Sequence, residues 1–469
     1  MRVEESVGDG FGERGLEAAL AASRATRLWR DGSLRQPVNI RCLMNPSPTN
    51  PNVKHVALDV HAETFAVALA DSTGPVRPYG IIPAHTHSVD RLIKKLSEDR
   101  SDLRFVYEAG PTGFWLCRYL RSKGFACEVI APSLIPQKAS DRVKTDRRDA
   151  LNLARLFRSG ELTAVTVPDE ADEAIRDLVR ARLASIEDQR RCRQRVKGFL
   201  LRYGRRYDGK SSWTPAHLNY LSRQKFDHPA QQIAFEELVR AVQDPTDRIS
   251  RLDAAIETQV QSWSRLPLVR ALMCFRGLAL LNATTLVCEL GLFARFDSAR
   301  ALMSFVGLTP SEDSSGKRRR QGAITKSGNS AARRALVEAA WQYRLPARVS
   351  PHLRKRQHDQ PKAVTDIAWK AQERLCGRYR ALIRSGKKPV VTVTAVAREL
   401  VGFVWAAACL VEGKKDPNPA TPPASGRAPR GGDRPVAPVP SKKPAAPARI
   451  YRLKPEKTFP ARSGVKKAR

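Results

Sequence analysis

Val53-Lys-His-Val-Ala-Leu-Asp-Val-His-Ala-Glu-Thr-Phe-Ala-Val-Ala-Leu-Ala70 is where regular structure first declares itself in the chain. Two short runs rich in Val, Ala and Leu, Lys54 to Val60 and Thr64 to Ala70, flank a polar turn at His61-Ala-Glu63. Short β-prone runs around such a turn predict a β-hairpin. Within the first run Asp59 has apolar neighbours on both sides, where a lone carboxylate is costly to bury. Downstream, the pattern predicts a helix near Ser88–Ser97 and a strand over 103–108 that ends on Glu108. A Gly110-Pro-Thr-Gly113 turn then leads into a helix over Phe114–Ser122, followed by a strand Ala126–Ala131 and a helix from Thr145. Strands alternating with helices predict a mixed α/β sheet, here over residues 51–165. Upstream, residues 1–50 mix charge with Pro46 and Pro48 and read as a poorly ordered extension.

Beyond Glu170 the chain turns to long, charged helices. Ile175, Leu178, Leu183 and Ile186 form one apolar stripe, and Ile249, Leu252, Ile256 and Val260, after Pro245, form another. Two such stripes, the second at three- and four-residue spacing, predict an antiparallel helical pair or coiled coil as a connector over 166–267, with Tyr203–His228 unassigned. Residues 268–411 read as a mainly α-helical domain, with helices over Ala271–Leu290 and Ser298–Val306, a basic loop at 310–328, and helices after Asn329 and Pro361. The last segment, 412–469, holds 12 prolines and 15 Lys and Arg against 4 acids. It cannot bury enough apolar surface to order itself, which predicts a disordered basic tail.

Charge narrows the partner. Lys and Arg number 82 against 47 Asp and Glu, a net charge of +35, and such an excess points to a polyanion bound through counterion release. A membrane surface is also anionic, but no apolar run of about 18 residues suited to span a bilayer stands out. The N-terminus carries Glu4, Glu5, Asp9 and Glu13 and lacks the apolar core of a signal peptide. The eight cysteines are scattered with no C-x-x-C pair. That argues for reduced thiols in a cytoplasm rather than disulfides or a zinc ribbon.

Four acids carry the chemistry: Asp59, Glu108, Asp146 and Asp149. Each alone has a plain structural reading. Asp146 and Asp149 follow Thr145 in the first turn of a helix, where acids complement the dipole; Glu108 is a strand-end residue; Asp59 is a turn former. Together they form a pattern, strand-Asp, strand-end Glu and helix-Asp-x-x-Asp, of the sort a ribonuclease-H-like sheet uses for metal ligands. Clustered carboxylates repel one another unless a cation lies between them. A pair of Mg²⁺ ions gripping a phosphodiester is the usual solution, which predicts metal-dependent chemistry on DNA or RNA.

The segments Ala57-Leu-Asp-Val-His61, Tyr107-Glu-Ala-Gly-Pro-Thr-Gly113 and Lys144-Thr-Asp-Arg-Arg-Asp-Ala150 resemble the D-E-D-D motifs of a family of bacterial insertion-sequence transposases whose relatives include the pilin-gene invertases. Phe305-Val-Gly-Leu-Thr-Pro310, Ser314-Ser-Gly316, Ile324-Thr-Lys-Ser-Gly328 and Arg333-Arg-Ala-Leu-Val-Glu-Ala-Ala340 resemble its C-terminal signature, so the likeness covers about residues 53–410. The resemblance implies a RuvC-like N-terminal domain joined through a coiled coil to a C-terminal domain with a nucleophilic serine, here Ser315, with Ser314 as the competing assignment. It further implies Mg²⁺ held by the four acids, and phosphate contacts from Lys317, Arg318, Arg319, Arg320 and Lys326, whose plain alternative is a solvated basic loop. As partners it implies the DNA of the element ends and target, a structured noncoding guide RNA, and further copies of the chain in a homo-oligomer. Two departures stand out. Phe275-Arg-Gly-Leu-Ala279 replaces the family's usual Pro-Gly-x-Gly turn, and His61 stands where many relatives have Lys; at a hairpin tip it reads as an exposed residue, with a place facing the metal site as the alternative.

Other readings remain open at this level: a junction resolvase or nuclease using the acidic site alone with water as nucleophile, and a nucleic-acid binder that has lost its nuclease activity. An actin-like or sugar-kinase ATPase would need a glycine-rich phosphate loop after the hairpin, for which Asp71-Ser-Thr-Gly-Pro75 is a poor candidate.

Overall fold

A computed structural model describes residues 53–136, 145–315 and 318–413 of the protein. The predicted N-terminal extension and the tail from residue 414 lie outside the described residues. The chain forms two compact units: one takes in the described residues up to Leu266 together with Leu280–Gly291, the other Pro267–Ala279 and the described residues from Leu292 onward.

The first unit opens with the predicted hairpin, β1 (Val53–Val60) and β2 (Thr64–Asp71), followed by β3 (Arg77–Pro83), α1 (Thr86–Leu96), β4 (Asp102–Glu108), α2 (Trp115–Ser122), β5 (Ala126–Ile130) and α3 (Asp146–Arg158). The five strands form one mixed sheet in the order β3-β2-β1-β4-β5. β1 and β2, and β2 and β3, pair antiparallel, while β4 runs parallel to both β1 and β5. This mixed sheet is consistent with the ribonuclease-H-like arrangement that the order of the acids implies. Strand alternation sorts the side chains onto two faces. Val56, Leu58, Phe65, Val67, Phe105, Tyr107 and Val129 pack against Val89 and Leu92 of α1 and Leu116 and Leu120 of α2. The other face is small, with Ala57, Ala66, Ala68, Ala70 and Val106, and it receives Ala150, Leu153 and Ala154 of α3. Short side chains on both partners let α3 lie close to the sheet. Arg158, at its far end, donates to the carbonyls of Asp71 (3.2 Å) and Gly74 (2.7 Å).

Beyond the sheet come α4 (Glu170–Arg202), α5 (Pro215–Ser222) and α6 (Pro229–Ser262). Asp172 accepts from Trp263 Nε1 (2.9 Å), Arg182 binds Asp253, and Gln189 Nε2 donates to Thr246 Oγ1 (2.8 Å). Numbers rise along one helix as they fall along the other, so α4 and α6 are the antiparallel pair that the two stripes predict. α6 begins earlier than its stripe suggests and runs through Pro245. α5 fills part of the unassigned stretch, started by Thr214, whose side chain accepts from the His217 amide, and by Pro215 in the first turn.

The single helix predicted over Ala271–Leu290 is two, α7 (Leu266–Leu272) and α8 (Leu280–Leu290). Gly277, at φ +86°, lies in the break, where an added Cβ would meet the Ala339 carbonyl oxygen at 2.4 Å. α8 packs with the first unit. Glu289, with a side chain 2% exposed, accepts from Arg180 Nε (2.8 Å) and Nη2 (3.0 Å), and Arg176 donates to the Cys288 carbonyl (2.8 Å).

The second unit continues with α9 (Ala299–Phe305), β6 (Pro310–Ser315), β7 (Arg318–Ile324), α10 (Ser330–Ala340), α11 (Pro351–Gln357), α12 (Lys362–Arg384) and α13 (Pro389–Val411). Ser298 and Asn329 cap α9 and α10 by accepting backbone amides, as their positions before apolar runs imply. The predicted basic loop at 310–328 is largely the β6–β7 hairpin. α13 packs on α9, α10 and α12, with Val396, Leu400, Val401 and Val404 buried. Contrary to the sequence reading, this helix is long and apolar enough to cross a bilayer by length and composition, and most of its apolar window is buried within the protein.

Candidate active site

The fold gathers the acids at one end of the central strands. Ala57 faces α3, so Asp59, two residues on, points to the same side. Val106 also faces α3, which places Glu108 likewise. β1 and β4 pair in parallel up to Leu58↔Tyr107; Asp59 and Glu108 are the next positions along, on neighbouring strands about 4.8 Å apart. α3 presents Asp146, Asp149, Ala150 and Leu153 at helical spacing, the last two buried against the sheet. The aspartates therefore sit where its first turn reaches the ends of β1 and β4. Thr145 starts the helix by accepting from the Arg148 amide (3.4 Å), and the helix dipole favours the acids Asp146 and Asp149 in this first turn.

Three side chains converge most closely. His61 Nε2 lies 3.3 Å from Asp59 Oδ2 and 3.6 Å from Asp146 Oδ1, and ligand atoms of Asp59, His61 and Asp146 all fall within 4.8 Å of one another. The Asp59 side chain is only 19% exposed, against 51% for His61 and 61% for Asp146. Burial holds the Asp59 carboxyl above the usual carboxylate range. His61 opposes that shift by charge and hydrogen bonding, and the negative charges of Asp146 and Asp149 add to it. Glu108 and Asp149 are half-buried and placed beside this trio by strand register and helix pitch, outside the closest set. His61, exposed as its hairpin-tip position predicts, also takes the alternative place facing Asp59 and Asp146. The signal was available: strand alternation carried past Val60 places residue 61 on the side of residue 59.

Ser315 belongs to the second unit. It ends β6, exposed, with Arg318 opposite it in the hairpin register, Arg319 opposite Ser314 and Arg320 opposite Asp313. Ser314 Oγ donates to Glu312 Oε1 (3.0 Å). Arg320 and Lys326 are exposed; Lys317 and the side chains of Arg318 and Arg319 lie outside the described residues. Lys326 has φ +57° and its amide donates to the Gly307 carbonyl (3.1 Å). Gly307 and Gly328, both at positive φ, allow this crossing: a Cβ on Gly307 would stand 2.2 Å from Ser327 O, and one on Gly328 1.9 Å from Phe305 O.

The mixed sheet thus carries one acid on its central strand, one at the end of the strand beside it and two on the helix packed across them. Residues 56–204 match a family model described as "Transposase", of the DEDD, IS110 type, and residues 269–357 match the "Transposase IS116/IS110/IS902 family". The chain is 48% identical over 355 residues to "Putative transposase y4qE" of Sinorhizobium fredii, covering 75% of this chain and 88% of that protein. It is 33% identical over 338 residues to "Transposase for insertion sequence element IS1533" of Leptospira borgpetersenii, covering 71% and 98%. The chain belongs to this family of insertion-sequence transposases and acts on DNA.

Proposed function

We propose that the chain cuts and rejoins the DNA of a mobile element by divalent-metal-dependent phosphoryl transfer with a serine nucleophile. The observation that carries the first part is the meeting of Asp59, His61 and Asp146, with Asp149 near enough to act on Asp59 by charge. Hard oxygen donors at this separation fit a divalent cation, and Asp59, raised by burial and by its acidic neighbours, is the kind of carboxylate that a cation would stabilise in its charged form. Asp59, Glu108, Asp146 and Asp149 would hold Mg²⁺, which when bound supplies Lewis acidity and charge neutralisation at a phosphodiester.

Ser315 is the proposed nucleophile: its Oγ–P bond forms as the bond to the departing deoxyribose oxygen breaks, leaving a phosphoserine link. Its exposed position at a strand end favours it over Ser314, whose hydroxyl is already directed to Glu312. Lys317, Arg318, Arg319, Arg320 and Lys326 are the proposed phosphate contacts, cations suited to the charge that develops on the transferred group. A structured noncoding RNA as guide, bound by shape and charge, and assembly into a homo-oligomer complete the proposal, supported by the family likeness and by the net charge of +35. A second reading, acidic-site cleavage with water as nucleophile, is favoured by the close grouping of the acids and His61 within one unit.

The test is Mg²⁺-dependent processing of element-end DNA, with and without the transcript flanking the gene, for the natural protein and Ser315→Ala. The serine reading expects a covalent protein–DNA adduct that Ser315→Ala loses; cleavage that survives Ser315→Ala without an adduct would leave the water-dependent reading.

A further inference from the structure

His61 is the one member of the close trio that is not a carboxylate. Its backbone amide donates to the Thr64 carbonyl (3.0 Å), closing the β1–β2 turn from which the ring projects. Donor atoms about 2.1 Å from one octahedral cation stand about 3.0 Å apart when adjacent and about 4.2 Å apart when opposite. The 3.3 Å and 3.6 Å separations of Nε2 from Asp59 and Asp146 fall inside that interval. An imidazole nitrogen here has two uses. It can carry a proton and bridge the two carboxylates as an ion pair, or it can turn its lone pair to a cation that the carboxylates already attract.

We propose that His61 is a cation ligand through Nε2, and that the site therefore takes a first-row transition dication of the Mn²⁺ type in preference to Mg²⁺. The inference rests on the reading of these acids as a cation site. Mg²⁺ is hard, holds its waters tightly and gains little by exchanging an oxygen for an imidazole nitrogen. Borderline dications accept nitrogen readily, so one such donor among carboxylates tilts selectivity towards them.

The measurement is Mn²⁺ binding to the untagged full-length protein by electron paramagnetic resonance, with pulsed spectra to detect nitrogen coupled to the bound ion. The natural protein, His61→Ala and Asp59→Asn are compared, each with Mg²⁺ as competitor. The natural protein should bind Mn²⁺ with a clear nitrogen coupling, and Mg²⁺ should displace it only in about tenfold excess or more. His61→Ala should keep a bound ion but lose the nitrogen signal, with Mn²⁺ affinity falling about tenfold; Asp59→Asn should lose the ion. Bound Mn²⁺ without nitrogen coupling in the natural protein, with binding still abolished by Asp59→Asn, overturns the role of His61 and leaves the acidic site standing. No Mn²⁺ binding by the natural protein overturns both.

Discussion

Replacing Gly328 by alanine tests how the Thr325–Ser327 segment is held against the turn at 305–307. Gly328 has φ +69°, a conformation costing an L-residue about 1–2 kcal/mol. Its new Cβ would lie 1.9 Å from the Phe305 carbonyl oxygen, where real contacts do not fall below 3.0 Å. The two backbones must therefore part by about 1 Å, a displacement comparable to overpacking a core, at about 1–3 kcal/mol. The total is roughly 2–5 kcal/mol, or about 5–15 °C in the unfolding midpoint of a unit this size. Gly386→Ala is the control. That glycine follows α12 at φ +78° with nothing within 4 Å of the added carbon, so only the backbone preference, about 1 kcal/mol, is lost. Thermal unfolding followed by circular dichroism at fixed concentration compares the two. Equal shifts would refute the claim that close backbone crossing, rather than positive φ alone, fixes glycine at 328.

Three further outcomes follow from the geometry. Asp59→Asn should raise the melting point of the metal-free protein near neutral pH. A carboxyl whose folded pKa is raised contributes stability that is present below its unfolded pKa and lost as pH rises through the folded one. The gain should fade below the ordinary carboxyl range, and a pH-independent gain would rule out that cause. Arg180→Ala strips Glu289 of its two-pronged partner while the carboxylate stays buried, and should destabilise the protein by about 1–3 kcal/mol; chemical denaturation would show it, and Glu289→Gln in the same background should recover part of the loss. Arg320→Ala and Lys326→Ala should each weaken DNA binding across sequences and lower the salt slope by about one. An unchanged slope in filter binding would remove them from the phosphate contacts.

What the sequence made legible follows its local physics. The β1–β2 hairpin, the strands ending on Glu108 and at Ala126–Ile130, and α3 behind Thr145 all announce themselves through apolar periodicity and a capping side chain. β3 does not: Arg77-Pro-Tyr-Gly-Ile-Ile-Pro83 carries two prolines and a glycine, tolerable because it is an edge strand with a register shift opposite Val67 and Ala68. β6 and β7 are hidden for a different reason. Ser-Glu-Asp-Ser-Ser and Arg-Arg-Arg-Gln have little strand propensity, and only the hairpin pairing sets the acid Asp313 opposite the base Arg320. The helix broken before Leu280 needed knowledge of Ala339, sixty residues on, to explain Gly277. At the site, Asp59 and Asp146, which the fold brings together, were readable because carboxylates in a basic chain stand out. His61 was readable only in part: strand alternation puts it on the side of Asp59, but its closeness to Asp146 depends on a distant helix.

The return of α8 to the first unit has a consequence for anyone dividing this protein. The polypeptide leaves that unit after Leu266, comes back for Leu280–Gly291, and departs again, so the two bodies are stitched rather than strung. A single scission at the apparent boundary would strip Arg176 and Arg180 of their partners and bare the apolar side of a helix, giving a fragment prone to misfold. Exchange of modules between related transposases must accordingly swap two separate stretches at once, or carry α8 along as foreign cargo.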